Sequence, residues 1–133
     1  MYHRPLALRA FLVVSVLVWL PYGLYCLIAP GFLAEGAGVA ATSPTGSTEL
    51  RAMYGGLQAA VGVMALAALR WPELRRPYLL LIAFLAGGLG FARLVGVLLD
   101  GGLSSYTTFA LVFEIAMVSA AMWLLRQPEP APA

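Results

Sequence analysis

Four polar side chains stand inside otherwise apolar stretches of the chain: Arg51, Gln58, Arg93 and Glu114. At the centre of a membrane helix a charged side chain costs roughly 2.5–3.5 kcal/mol on the insertion scale, so such groups face partners and mark sites by default. Helical spacing adds Tyr54 and Asp100 to them. At about 100° per residue, Arg51, Tyr54, Gly55, Gln58 and Gly62 share one helix face. Gly90, Arg93, Gly96 and Asp100 share a second face, and Thr107, Ala110, Glu114, Met117 and Val118 a third. The planar fork of Arg suits a carboxylate or phosphate, to which it donates two parallel hydrogen bonds. Glu114 could act as a general acid or base with Tyr54 as a proton donor on a lipidic substrate, or exchange protons in a small transporter. Ion pairing with Arg93 competes with such acid–base roles.

Depth tightens the constellation. Arg93 lies two turns inside Asp100, about 10 Å, and Glu114 lies about 12 Å inside Tyr106. Two antiparallel helices joined by a short turn would bring Arg93 and Glu114 to one level. Arg51 and Tyr54, at the start of their helix, sit near the level of Asp100. The expectation is a polar pocket lined by Arg51, Tyr54, Gln58, Arg93, Asp100 and Glu114 in the half of the protein away from the cytoplasm, with Arg51 keeping donors for a ligand. An internal ion-pair network that sets helix register would use the same residues. The sequence shows no nucleophile–base pair, glycine-rich phosphate loop or metal-ligand spacing. His3 is the only histidine and Cys26 the only cysteine, so a multi-histidine metal or haem site and an internal disulfide are excluded. No cofactor is expected.

The elements that must position these residues follow from composition. Of 133 residues 62% are apolar and 11% charged, with a mean hydropathy of +0.88. A soluble domain has about 25% charged residues, and a chain this short cannot hide so much apolar surface from water. Four stretches reach the roughly 20 apolar residues a bilayer crossing needs: about 10–29, 50–69, 78–99 and 106–125. The fold class predicted is all-α, a four-transmembrane-helix bundle in one domain over 1–126. Residues 127–133 form a proline-rich tail predicted to be disordered. The first apolar run continues through Pro21, Tyr22 and Gly23 to Ile28, too long for the apolar core of a signal peptide, so it reads as an uncleaved helix.

All eight basic residues are Arg. Arg4 and Arg9 precede the first span, Arg70, Arg75 and Arg76 lie between the second and third, and Arg126 follows the fourth. The loop over 30–48 and the turn over 100–105 have none, which places both termini in the cytoplasm. Trp71, Tyr78 and Trp123 fit an interfacial aromatic belt. Eight Arg residues spread along the chain form no basic patch, so nucleic acid is not an expected partner. Lack of Lys with an Ala, Leu and Gly bias suggests a GC-rich bacterial genome, and the expected location is the bacterial plasma (inner) membrane. Small residues at four-residue spacing, Ala52, Gly56 and Ala60 on one span and Gly88, Ala92 and Gly96 on another, predict close helix packing. Pro21 predicts a kink in the first helix, Ser47 an N-cap for the second, and Glu49 a dipole-complementing first turn. Cys26 reads as lipid-facing or core filler.

The run Glu49-Leu50-Arg51-Ala52-Met53-Tyr54-Gly55-Gly56 resembles the signature of an uncharacterised bacterial family of small four-helix membrane proteins, a domain of unknown function. The pattern continues through Gly90, Arg93, Gly96, Asp100, Gly101 and Glu114. The resemblance implies the four-helix architecture and brings no activity with it. The functional expectation is an integral membrane protein that binds a small anionic or lipidic molecule or serves as an accessory subunit, alone, as a homo-oligomer or within a larger membrane complex.

Overall fold

The structure is a computed structural model that describes residues 3–127. Among the described residues all regular structure is helical. Helix α1 runs His3–Ile28, α2 is the single turn Leu33–Gly36, α3 runs Pro44–Arg70, α4 Arg75–Asp100 and α5 Ser105–Arg126. Short 3-10 turns at Pro30–Phe32 and Pro72–Leu74 precede α2 and α4. Four helices are long and apolar enough to cross a membrane, their stretches being Leu6–Ile28, Pro44–Arg70, Pro72–Asp100 and Ser105–Arg126. Large apolar side chains such as Phe84 and Leu98 are at least 80% exposed, an arrangement that lipid tolerates and water does not. The tail beyond Gln127 lies outside the described residues.

Local chemistry explains where each helix stops. The last backbone bond at the end of α1 runs from the Ala29 N–H to the Tyr25 carbonyl at 2.8 Å; Pro30 has no N–H to continue the ladder. The start of α3 is set earlier than Ser47. The Ser43 Oγ accepts from the Gly46 N–H at 3.0 Å and Pro44 takes the first helical position, where its missing N–H costs nothing. Ser47 and Glu49 therefore sit inside the helix rather than at its cap and first turn. Pro72 ends α3 after Trp71, whose backbone turns extended. Between α4 and α5, Gly101 takes the left-handed conformation at φ 67. The Ser104 Oγ then accepts from the Thr107 N–H at 3.1 Å to open α5.

The described residues divide into two compact units, one over Arg9–Leu74 and the other comprising residues 75–127 together with residues 3–8. In the first, α1 and α3 pack antiparallel with their backbones touching. A Cβ on Gly62 would fall 2.5 Å from the Leu20 nitrogen, one on Gly23 2.2 Å from the Ala59 nitrogen, and one on Gly55 2.8 Å from the Leu27 Cα. The partners step along both helices in three- and four-residue intervals, 20, 23 and 27 against 62, 59 and 55. This is the small-residue seam of close membrane-helix packing, one position away from the stripe expected at Ala52, Gly56 and Ala60. Those three are exposed.

In the second unit α4 and α5 form an antiparallel hairpin held apart by side chains. Tyr78, Ile82, Ala86, Leu111, Met117, Ala121 and Leu124 are buried. Gly88 and Gly96 of the other expected stripe would place a Cβ with no atom within 4 Å, so neither brings helices together here. Tyr78 is 0% exposed and so is a core residue, unlike Trp71 and Trp123. Helix α1 is continuous through Pro21, and Ser15 within it turns its hydroxyl back to the Phe11 carbonyl at 2.9 Å. Cys26 is buried, which resolves its reading to core filler.

Candidate functional site

The candidate residues belong to the two units, Arg51, Tyr54 and Gln58 on α3 of the first and Arg93, Asp100 and Glu114 on the α4–α5 hairpin of the second. The first group lies where α3 leaves α-helical geometry. Arg51–Gly56 is a π-helical segment, in which the N–H of the following Leu57 reaches back five residues to the Ala52 carbonyl. Such wide turns recur at functional sites. Their consequence is geometric: the 100° wheel that put Arg51, Tyr54 and Gln58 in one line does not apply through Arg51–Gly56. Arg51, Gly55 and Gly62 all meet α1, while Tyr54 and Gln58 are half-buried and make no side-chain hydrogen bond among the described residues.

Arg51 works against the end of α1. Its Nη1 donates to the Leu27 carbonyl and, at 3.1 Å, to the Ile28 carbonyl. These are among the final acceptors that any helix leaves unpaired, and Pro30 deepens the deficit by supplying no N–H. A guanidinium here satisfies the carbonyls and complements the negative end of the helix dipole. Arg51 therefore has a structural partner that its position in the sequence did not disclose. Its Nε and Nη2 donate to no described residue. The same helix end carries an aromatic cluster. Phe32 meets the Tyr22 ring edge-on at 6.0 Å and the Tyr25 ring at 4.7 Å.

On the hairpin the expected ion pair is present. The Arg93 Nε donates to the Glu114 Oε1 at 2.8 Å, with Glu114 buried to 4% side-chain exposure and Arg93 to 27%. The guanidinium carbon also lies 5.7 Å from the Tyr106 ring centroid, within cation–π range. Tyr106 and Glu114, eight residues apart on α5, fall about 80° apart and so within one helix stripe, which is the signal by which this contact could have been found. The second carboxylate oxygen, Oε2, is buried without a hydrogen-bond partner. A Cβ on Gly90 would stand 3.5 Å from it. Asp100 is exposed at the end of α4 and forms no ion pair among the described residues. No cluster of three His, Cys, Asp or Glu side chains among the described residues could hold a metal.

The chain matches the model of a protein family over residues 7–125 and belongs to it: the family described as a domain of unknown function, DUF4345. The match covers both helix pairs and both groups of polar residues. No curated protein and no solved structure matches the chain.

Proposed function

We propose that this member of the family is an integral membrane protein of the bacterial plasma membrane that binds a small anionic amphipathic molecule, with both termini in the cytoplasm. The observation that carries this reading is the division of labour within Arg51. One nitrogen caps α1, while Nε and Nη2 donate to no described residue. Those two nitrogens form the edge of the guanidinium fork that meets a carboxylate or phosphate. Tyr22, Tyr25 and Phe32 supply an aromatic surface at the same helix end for the apolar part of such a molecule. Arg93 and Glu114 neutralise each other on the hairpin, so Arg51 carries the anion preference.

Thermal unfolding of the purified protein in lipid nanodiscs with decanoate or decyl phosphate tests the reading, because a ligand of the native state alone raises the melting point. Both probes are expected to raise it in the wild type. The rise should vanish in Arg51→Gln and be reduced in Arg51→Lys, which keeps the charge and loses the fork. Absence of any rise in the wild type would leave Arg51 a helix cap and nothing more. Orientation is tested separately by single cysteines at Gly38 and Ser104 in a Cys26→Ala background. Membrane-impermeant thiol reagents added outside intact cells should label both; labelling only after permeabilisation reverses the topology.

A further inference from the structure

The Glu114 carboxylate is half used. Oε1 takes the Arg93 Nε–H, whereas Oε2 is buried with no donor among the described residues, and an unsatisfied buried acceptor costs on folding unless something supplies a hydrogen. Gly90 faces it across the hairpin. A Cβ built there would meet only the Glu114 Cβ and Oε2, each at 3.5 Å, with no other neighbouring atom inside 4 Å. No side chain of Gly90 thus fills the space beside the oxygen that lacks a donor.

From this geometry we infer that Gly90 and Glu114 form a subsite for one neutral hydroxyl, carried by an otherwise apolar molecule. Three features define that chemistry. The group must donate, because a carboxylate oxygen only accepts. It must be uncharged, because Arg93 already balances Glu114, and an ammonium would add an uncompensated charge in an apolar setting. The rest of the molecule must be apolar, because Ala86, Leu111 and Met117, one turn from Gly90 and on either side of Glu114, are buried apolar side chains. A fatty or isoprenoid alcohol fits all three. This subsite is independent of the anion reading at Arg51: it uses a different helix pair, and its ligand class has the opposite hydrogen-bonding sense.

The experiment uses the full-length protein in nanodiscs with 1-decanol, decyl methyl ether and decylammonium as probes. Decanol should raise the melting temperature of the wild type by about 2–5 °C at saturating concentration, and the ether, which cannot donate, should not. Decylammonium should give no comparable rise. Gly90→Ala puts a methyl group 3.5 Å from Oε2 at an ordinary contact distance, against the approach a hydroxyl takes on this side, and should abolish the decanol response while the unliganded protein melts near the wild-type temperature. Glu114→Gln should abolish it as well, but Gly90→Ala keeps the test decisive if that variant does not fold. Equal effects of decanol and the ether would mean a bilayer effect and overturn the proposal. So would a larger effect of decylammonium, a decanol response that survives Gly90→Ala, or no response in the wild type.

Discussion

The α1–α3 pair and the α4–α5 hairpin solve the same problem in opposite ways. Both are antiparallel pairs of apolar helices, for which lipid provides no hydrophobic drive to associate. In α1–α3 the side chains are removed: Gly23, Gly55 and Gly62 let backbone meet backbone, and Arg51 is turned to the end of the partner helix. In α4–α5 the glycines are not in clashing contact. A Cβ on Gly87 would be 3.8 Å from Val118 and one on Gly90 3.5 Å from Glu114, while the polar contact between helices is an ion pair between side chains. A seam of backbones leaves no space for a side chain between the two helices. A seam of side chains can hold an ion pair, and the buried acceptor without a donor lies there, in the hairpin.

The largest effect expected from breaking this contrast is at the ion pair. Glu114→Gln leaves Arg93 without a charge partner and should lower unfolding stability by about 3 kcal/mol. The double variant Arg93→Leu with Glu114→Leu should be less damaging than Glu114→Gln alone, since it removes both charges from an apolar setting. Additive losses in the corresponding double-mutant cycle, measured by denaturant unfolding in mixed micelles, would mean the two residues are energetically separate.

Next in size is the glycine seam. Gly23→Ala drives a methyl into the Ala59 backbone, and overpacking of this kind costs about 1–3 kcal/mol. Gly90→Ala on the hairpin should change stability by less than about 1 kcal/mol, because its new contacts are ordinary and alanine favours the helix. Equal losses for the two substitutions would erase the distinction between the seams. The smallest effect is expected for Arg51→Gln in the absence of ligand, a loss of about 1–2 kcal/mol from uncapping the Leu27 and Ile28 carbonyls. Removal of the competing cause sharpens that measurement. Pro30→Ala restores a backbone N–H at the end of α1, and in that background Arg51→Gln should cost less.

Much of this was legible without coordinates because it depends on one-dimensional chemistry. Twenty-residue apolar runs, broken by Pro30, Pro72 and the Gly101–Gly102 turn, specify membrane-length helices whatever they pack against. The Arg93–Glu114 pair was also legible, because a short turn forces α4 and α5 to be antiparallel neighbours and depth can then be counted from it. The expectation weakened wherever it relied on an ideal wheel. Through Arg51–Gly56 the backbone is π-helical, so Tyr54 and Gln58 could not be assigned with Arg51 by counting 100° per residue. The small-residue stripe was likewise misassigned, because a glycine's spacing says that it permits close approach but not which neighbour arrives. Ser43 displaced Ser47 as the cap because Pro44 fits the first helical position.

By itself, then, the sequence determined the solvent, the helix class, the points where the spanning helices stop and the Arg93–Glu114 ion pair, since these follow from apolar length, proline, glycine and the cost of charge in lipid. Only the tertiary structure decided that Arg51 caps α1, that Gly23, Gly55 and Gly62 form the seam, and that Gly90 stands beside the Glu114 oxygen lacking a donor. Each of those is a contact between residues far apart in the chain. Its existence depends on how two helices are rotated and offset against each other, a choice settled by the sum of all contacts along both and not by any one residue type.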